Sequence, residues 1–323
     1  MLGAVLALLS AATFGLNNAT LRRGVLSGSV LQALAITVPI GAPLFLLVCL
    51  IFGALGALSD FSRVTWIWMS VAGVIHFVIG RYGNYRSTEA LGGALSAPIG
   101  QISVLVALAL GVGLLGEQLT PLRVLGIVLV MFSPILVVRR RRNSRPVEKT
   151  AFQPRYLEGT LWGVVGALGY GVSPAIVRMA LQGGGVTEGI AAGFISYLAA
   201  AILVGLLLII PANRTDVMGL RAGPARWFAF SGFAVFVSQV FRYMALAIAP
   251  VSVVTTIQRT SVVFRVIFAH MLNREHEILD ARTYIGIFVS MLGVVALTVS
   301  TEFVLAHIPL PQAIAALARL TWP

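Results

Sequence analysis

Phe14-Gly15-Leu16-Asn17-Asn18-Ala19, with Arg22 three residues on, returns without a gap as Tyr170-Gly171-Val172-Ser173-Pro174-Ala175, with Arg178 three residues on. Each copy stands near the end of a long apolar run. The shared pattern is aromatic, Gly, any residue, polar, any residue, Ala, then Arg. Two more pairs keep the same order along the chain. Gly80-Arg81-Tyr82 answers to Phe241-Arg242-Tyr243, and Glu117 with Gly126 nine residues later answers to Glu277 with Gly286 nine residues later. Self-similarity at a fixed offset of about half the chain marks a duplicated structural unit.

Outward from these motifs the chain divides into apolar runs, each long enough to span a bilayer at about 17–25 residues. Five lie at about 2–21, 29–54, 65–85, 91–114 and 121–138, and five more at about 158–180, 187–211, 226–247, 250–272 and 282–300. The fold class expected is an all-α membrane protein of ten transmembrane helices, arranged as two inverted five-helix repeats around a central cavity. An odd number of helices per unit makes the second unit enter the membrane from the opposite side, an architecture that places a substrate site between halves near mid-membrane. The expected organisation is a first repeat over 1–138, a basic connecting loop over 139–157 that opens with Arg139-Arg140-Arg141-Arg142, a second repeat over 158–300, and an interfacial tail over 301–323 in which Pro309 and Pro311 interrupt the apolar pattern.

Composition agrees with lipid as the solvent. Hydrophobic residues make up 58% of the chain and charged residues 11%, against about a quarter charged in soluble domains. The mean hydropathy is +0.95. The net charge of +12 comes from arginines in the short segments between apolar runs, where they set topology, so no nucleic-acid partner is implied. Residues 1–20 have no positive segment ahead of them, which favours a retained first helix over a cleaved signal. The single cysteine, Cys49, sits in an apolar run, and no metal-ligand spacing or cofactor motif occurs.

The loop arginines give an orientation. One side takes Arg22, Arg23, Arg86, the basic loop with Lys149 and Arg155, then Arg214, Arg221, Arg226, Arg274 and Arg282. The other takes only Arg63, Arg123, Arg178 and Arg319. Positive loops remain cytoplasmic, so the central loop is expected inside and both termini outside, a pattern that fits a bacterial inner (plasma) membrane. Partners implied are the lipid bilayer and a small-molecule substrate, for a monomer or homodimer.

The chemistry lies in charges within the helices. Arg81, Arg242, Arg259 and Arg265 fall inside apolar runs, whereas every Asp and Glu falls in a loop or at a helix end. An arginine at the bilayer centre costs at least about 2.5–3.5 kcal/mol and faces protein or a wet cavity. Guanidinium groups with no acidic mate suit an anionic ligand, whose carboxylate or phosphate oxygens they match in a fork. The other role open to them is structural: snorkelling to an interface, or bonding the carbonyls of a broken helix. Tyr82 and Tyr243 follow two of these arginines and can line a wall. Asn17, Asn18, Ser173, Gln101 and Gln258 can orient a polar substrate or simply glue helices together. His76, five residues before Arg81, and His270 are the intramembrane groups that titrate near neutrality. His76 is the candidate for proton coupling, with a satisfied polar contact as its alternative.

These motifs together resemble the drug/metabolite transporter superfamily, in its ten-helix EamA-like branch. The resemblance rests on the aromatic-Gly pair near the end of helix 1, on Leu115-Gly116-Glu117-Gln118-Leu119-Thr120 ahead of a helix with Gly126, and on the poorer copy Glu277-Ile278-Leu279 ahead of Gly286. It covers about residues 1–300. It implies a secondary transporter with a cavity lined by helices 1, 3, 4, 6, 8 and 9, and it implies both termini cytoplasmic, the reverse of the charge bias here. It does not imply a substrate. Glu117 and Glu277 are expected to cap the next helix or set a tight turn. The function expected is transport of a small organic anion by alternating access. The alternatives are export of amino acids or other zwitterions, or flipping of a lipid with an anionic headgroup. The sequence has neither paired mid-helix carboxylates nor a His-Glu-x-x-His motif, so an integral membrane enzyme is not expected.

Overall fold

The computed structural model describes residues 1–138, 155–181, 183–272, 281–299, 301–307 and 311–322. The expected central loop up to residue 154, including Ser144, lies outside the described residues, as do Glu275, His276 and Glu277. The described chain is helical: α1 (Leu2–Val25), α2 (Val30–Thr37), α3 (Gly41–Ile51), α4 (Leu55–Asp60), α5 (Arg63–Gly73), a π-helical stretch (Val74–Gly80), α6 (Arg81–Gly100), α7 (Ile102–Leu115), α8 (Pro121–Val138), α9 (Tyr156–Ala180), α10 (Val186–Leu207), α11 (Pro211–Met218), α12 (Ala222–Ile248), α13 (Val251–Gln258), α14 (Ser261–Leu272), α15 (Ala281–Thr298), α16 (Thr301–His307) and α17 (Gln312–Ala318).

Local chemistry sets several of these boundaries. Ser29 opens α2 with a reciprocal capping box: its Oγ accepts the Gln32 N–H at 3.0 Å, and Gln32 Oε1 accepts the Ser29 N–H at 2.9 Å. Ser62 opens α5 with a simple cap, its Oγ accepting the Thr65 N–H at 3.1 Å. At the end of α7, Gly116 takes φ +63°, and the Glu117 N–H reaches back to Gly111 O at 3.0 Å. Only glycine holds that left-handed position without strain.

Among the described residues, seven spans are long and apolar enough to cross a membrane: Leu2–Val25, Val30–Ile51, Arg63–Leu91, Tyr156–Ala180, Val186–Leu207, Ala222–Ile248 and Val251–Phe268. Ile102–Leu115 and Pro121–Phe132 are shorter apolar helices. The second expected run, 29–54, is not one helix. It breaks into α2 and α3 around Pro39, which supplies no N–H to the ladder. The third and fourth runs join in α6, which nevertheless folds back on itself. A Cβ on Gly163 would lie 2.8 Å from Ser87 Oγ and 2.9 Å from Ile99 Cγ2. Twelve residues of straight helix would separate those two by about 18 Å. The expected tail contains two seven-residue helices, too short to span. It ends with Trp322 paired to Leu119 through two backbone hydrogen bonds of 2.9 Å, on the connection between α7 and α8.

The helices meet through small residues. α1 lies along α12, α6 along α9 and α8 along α15, while α10 touches α3, α5 and α12. A Cβ on Gly15 would collide with Phe264 Cβ at 2.6 Å and Arg265 N at 2.8 Å in α14, and one on Gly171 would collide with Val106 Cβ at 2.6 Å and Ser103 O at 2.8 Å in α7. Gly3 abuts Ala249 past the end of α12, and Gly159 abuts Leu91 in α6. Such close backbone approach gains van der Waals contact where lipid offers no hydrophobic drive. Large apolar side chains such as Leu47, Phe132 and Phe288 face outward, as a lipid-solvated surface requires.

Candidate functional site: a buried arginine cluster

The π-helical stretch, α6, α9, α10, α12 and the α13–α14 junction converge on three arginines. Arg81 opens α6 and is buried. Its Nη1 donates to Thr37 O at 3.0 Å and its Nη2 to Tyr197 Oη at 3.0 Å. The guanidinium also sits over the Phe77 and Tyr197 rings, 5.0 and 5.6 Å from their centroids. Thr37 O is available because the helix breaks there. The Gly41 N–H that would take it in a continuous helix bonds Val38 O instead, at 3.1 Å. Arg81 therefore completes a broken helix.

Arg242, in α12, is fully buried. Nη1 donates to Gln239 Oε1 at 3.2 Å and Nη2 to Ser173 Oγ at 3.1 Å, with the Tyr243 ring 5.5 Å away. Its Nε has no hydrogen-bond partner. The same Ser173 Oγ lies 2.7 Å from His76 Nδ1. The His76 ring rests against Tyr170 at 4.7 Å and meets Phe77 edge-on at 4.9 Å. Arg242, Arg81 and Arg259 all act on His76 electrostatically.

Arg259 stands at the break between α13 and α14, 6.0 Å from the Tyr170 ring centroid, and its Nε is also unpartnered. Its head reaches the break between α6 and α7, since a Cβ on Gly100 would lie 3.7 Å from Arg259 Nη1. Gln101 occupies that second break, and both its Oε1 and Nε2 are buried without a partner. Among the described residues no carboxylate faces the cluster. The ion pairs of Arg86 and Arg155 with Glu89 and Glu158 lie at half-exposed positions between α6 and the start of α9. Glu117 caps α13, accepting the Val251 and Ser252 N–H groups at 2.5 and 2.9 Å.

The expected site residues separate into two groups. Arg81, Arg242, Tyr243, Arg259, Gln101 and His76 come together. Tyr82 does not join them: it meets Trp162 edge-on at 5.1 Å and borders a smaller core around Tyr85 and Phe228. Asn17 Oδ1 accepts from Ser231 Oγ at 2.6 Å, and Gln258 Nε2 donates to Ser10 Oγ at 3.0 Å, so both cross-link α1 to its neighbours. Asn18 is half-buried beside Asn17, and Arg265 is half-buried in α14, where its backbone abuts Gly15. Tyr170, Tyr197, Gln239 and Thr37 belong to the cluster and were not singled out from the sequence. Tyr170 alone carried a signal, as the aromatic of the repeated motif.

The succession of apolar helices, the paired glycine contacts and a buried polar centre are features of a carrier. Residues 1–139 and 157–299 match the EamA-like transporter family. The chain belongs to that family. It is thus a small-molecule secondary transporter of the EamA type, integral to a membrane, and not an enzyme. A solved crystal structure, described only as that of a protein, is similar in fold: it superposes with a TM-score of 0.62 over 92% of this chain and 95% of its own, at 17% identity. No curated protein matches the chain. Among the described residues of this EamA-like chain, no group of His, Cys, Asp and Glu is placed to hold a metal ion.

Proposed function

We propose that this EamA-like transporter carries a small organic anion, bearing carboxylate or phosphate, by alternating access, and that Arg242 and Arg259 grip the anionic group. One observation carries the reading: two guanidinium groups, of Arg242 and Arg259, keep a buried Nε–H without a partner where no described carboxylate faces them. A buried donor left unpaired costs about 1–3 kcal/mol, more when charged. A ligand oxygen removes that cost, and an anion offsets the charge. The Gln101 amide extends the site toward the α6–α7 break. Its unpaired Oε1 favours a second reading, a zwitterion or hydroxy acid whose N–H or O–H it would accept.

The carrier is read as ten helices in two inverted halves. In support, one spacing relates Gly3 to Gly159 and Gly15 to Gly171. The contacts exchange accordingly: α1 meets α12 and α14, where α9 meets α6 and α7. The loop arginines support a cytoplasmic central loop in a bacterial plasma membrane.

The test is a thermal-shift screen of purified protein with carboxylates, phosphorylated metabolites, amino acids and cationic drugs, beside Arg242→Ala and Arg259→Ala. A ligand that binds only the folded state raises the melting temperature by mass action. Stabilisation of the parent by an anion, lost in both variants, is expected. Stabilisation by cationic or neutral compounds alone removes the anion from the reading.

A further inference from the structure

Ser173 Oγ joins an arginine to a histidine. A guanidinium only donates, so Ser173 Oγ accepts from Arg242 Nη2. Its one proton is then free to point at His76 Nδ1, 2.7 Å away. In that arrangement His76 is neutral, accepts at Nδ1 and carries its proton on Nε2. Acting on it are Arg81 from α6, Arg242 from α12 and Arg259 from the α13–α14 break, with Tyr170 from α9 against its ring, while Tyr197 from α10 and Tyr243 from α12 face Arg81 and Arg242. A proton added to His76 makes a fourth positive charge in this company. An anion held by Arg242 and Arg259 cancels part of that field, so the filled site admits the proton more readily than the empty one.

We propose that His76 takes up one proton together with the anion, so that the two cross the membrane as symport. The proposal rests on the anion reading above. In the step, a proton from water on the open side adds to His76 Nδ1, and the Ser173 hydroxyl turns from donor to acceptor. The proton returns to water on the other side when the anion leaves. Linkage makes the effect reciprocal: whatever factor the anion adds to proton affinity, the proton adds to anion affinity.

The test measures binding of sulfate and of tartrate to the full chain in detergent by calorimetry, between about pH 6 and 8.5, where both probes keep their charge. With one proton taken up per anion, the dissociation constant should fall up to about tenfold for each unit of falling pH within the coupled range. A weakly buffered sample should turn alkaline on binding. His76→Gln should bind with a constant independent of pH, and Ser173→Ala, which preserves the imidazole, should keep the pH dependence. If His76→Gln fails to fold, the parent's alkaline shift still decides, because its absence on binding overturns the proposal. Binding that is equally tight at every pH overturns the coupling and leaves the anion site standing. Retention of the slope in folded His76→Gln overturns His76 as the carrier of the proton. If neither probe binds at any pH, coupling and anion site fall together.

Discussion

Arg81 Nη1 donates to Thr37 O at 3.0 Å, across 44 residues of sequence, at the point where Pro39 interrupts the second apolar run. A buried arginine and a half-buried proline thus meet at one break. Proline has no N–H for Ala35 O, and at the same break the Gly41 N–H turns to Val38 O, which leaves Thr37 O for the arginine. Arg81→Ala should lower stability by about 2–4 kcal/mol, from the lost charged bonds and the orphaned carbonyl. Replacing Pro39 by Ala should let the Gly41 N–H return to Thr37 O. In that background Arg81→Ala should cost about 1 kcal/mol less. Melting temperatures of the four proteins in detergent close the cycle, and equal costs in both backgrounds would mean that the two residues are not coupled.

Glu117 sits in the connection after α7 but acts on α13, where its carboxylate takes the Val251 and Ser252 N–H groups. Two free donors of a helix N-terminus are satisfied by one anion. Glu117→Ala should cost about 1–2 kcal/mol, within the range of a lost cap. Glu117→Gln keeps one acceptor oxygen and should recover part of it. The melting order expected is parent, Gln, Ala; a Gln variant no better than Ala would show that both oxygens are needed.

Gly73, Gly83 and Gly113 separate packing from propensity. A Cβ on Gly73 would run into Ser196 O, and one on Gly83 would lie 2.7 Å from both Gly166 N and Trp162 O, whereas one on Gly113 would meet nothing within 4 Å. The obstructing atoms at the first two sites are backbone, which cannot rotate aside. Gly83→Ala and Gly73→Ala should therefore reduce the yield of folded protein sharply, as size-exclusion chromatography reports. Gly113→Ala should be neutral or stabilising by about 0.5–1 kcal/mol, the helix penalty of glycine. Equal yields from all three would remove the close-contact account of the helix interfaces.

How far the sequence could be read follows from which interactions are local. The aromatic-Gly repeat was legible because Gly15 and Gly171 serve the same close crossing in two places. The capping role of Glu117 was legible in kind, since a Glu after a helix-ending Gly has few other uses, but its partner α13 was not. The four intramembrane arginines stood out by cost alone. That three of them converge, and that Arg81 serves a proline break, depends on tertiary contacts such as Arg81 with Tyr197, 116 residues apart. Nothing local marks Ser173 as the link between His76 and Arg242. Helix count was the weaker reading: hydropathy joins residues 29–54 into one run, where Pro39 splits the helix, and says little of how α6 reverses.

Gln101 offers a test that separates binding from structure. Its amide is buried, and neither Oε1 nor Nε2 has a partner. A residue kept for stability would not hold two polar atoms in that condition, because each costs about 1–3 kcal/mol. Gln101→Leu keeps a similar volume and removes both. The variant should melt at the same temperature as the parent or higher, while losing at least tenfold in affinity for any ligand found in the thermal-shift screen. Gln101→Glu keeps the shape but adds a negative charge beside Arg259. It should pair with that arginine, raise the melting temperature and abolish anion binding by occupying the guanidinium from within. A Leu variant that melts lower and binds normally would instead make Gln101 a packing residue and restrict the ligand's contacts to the arginines.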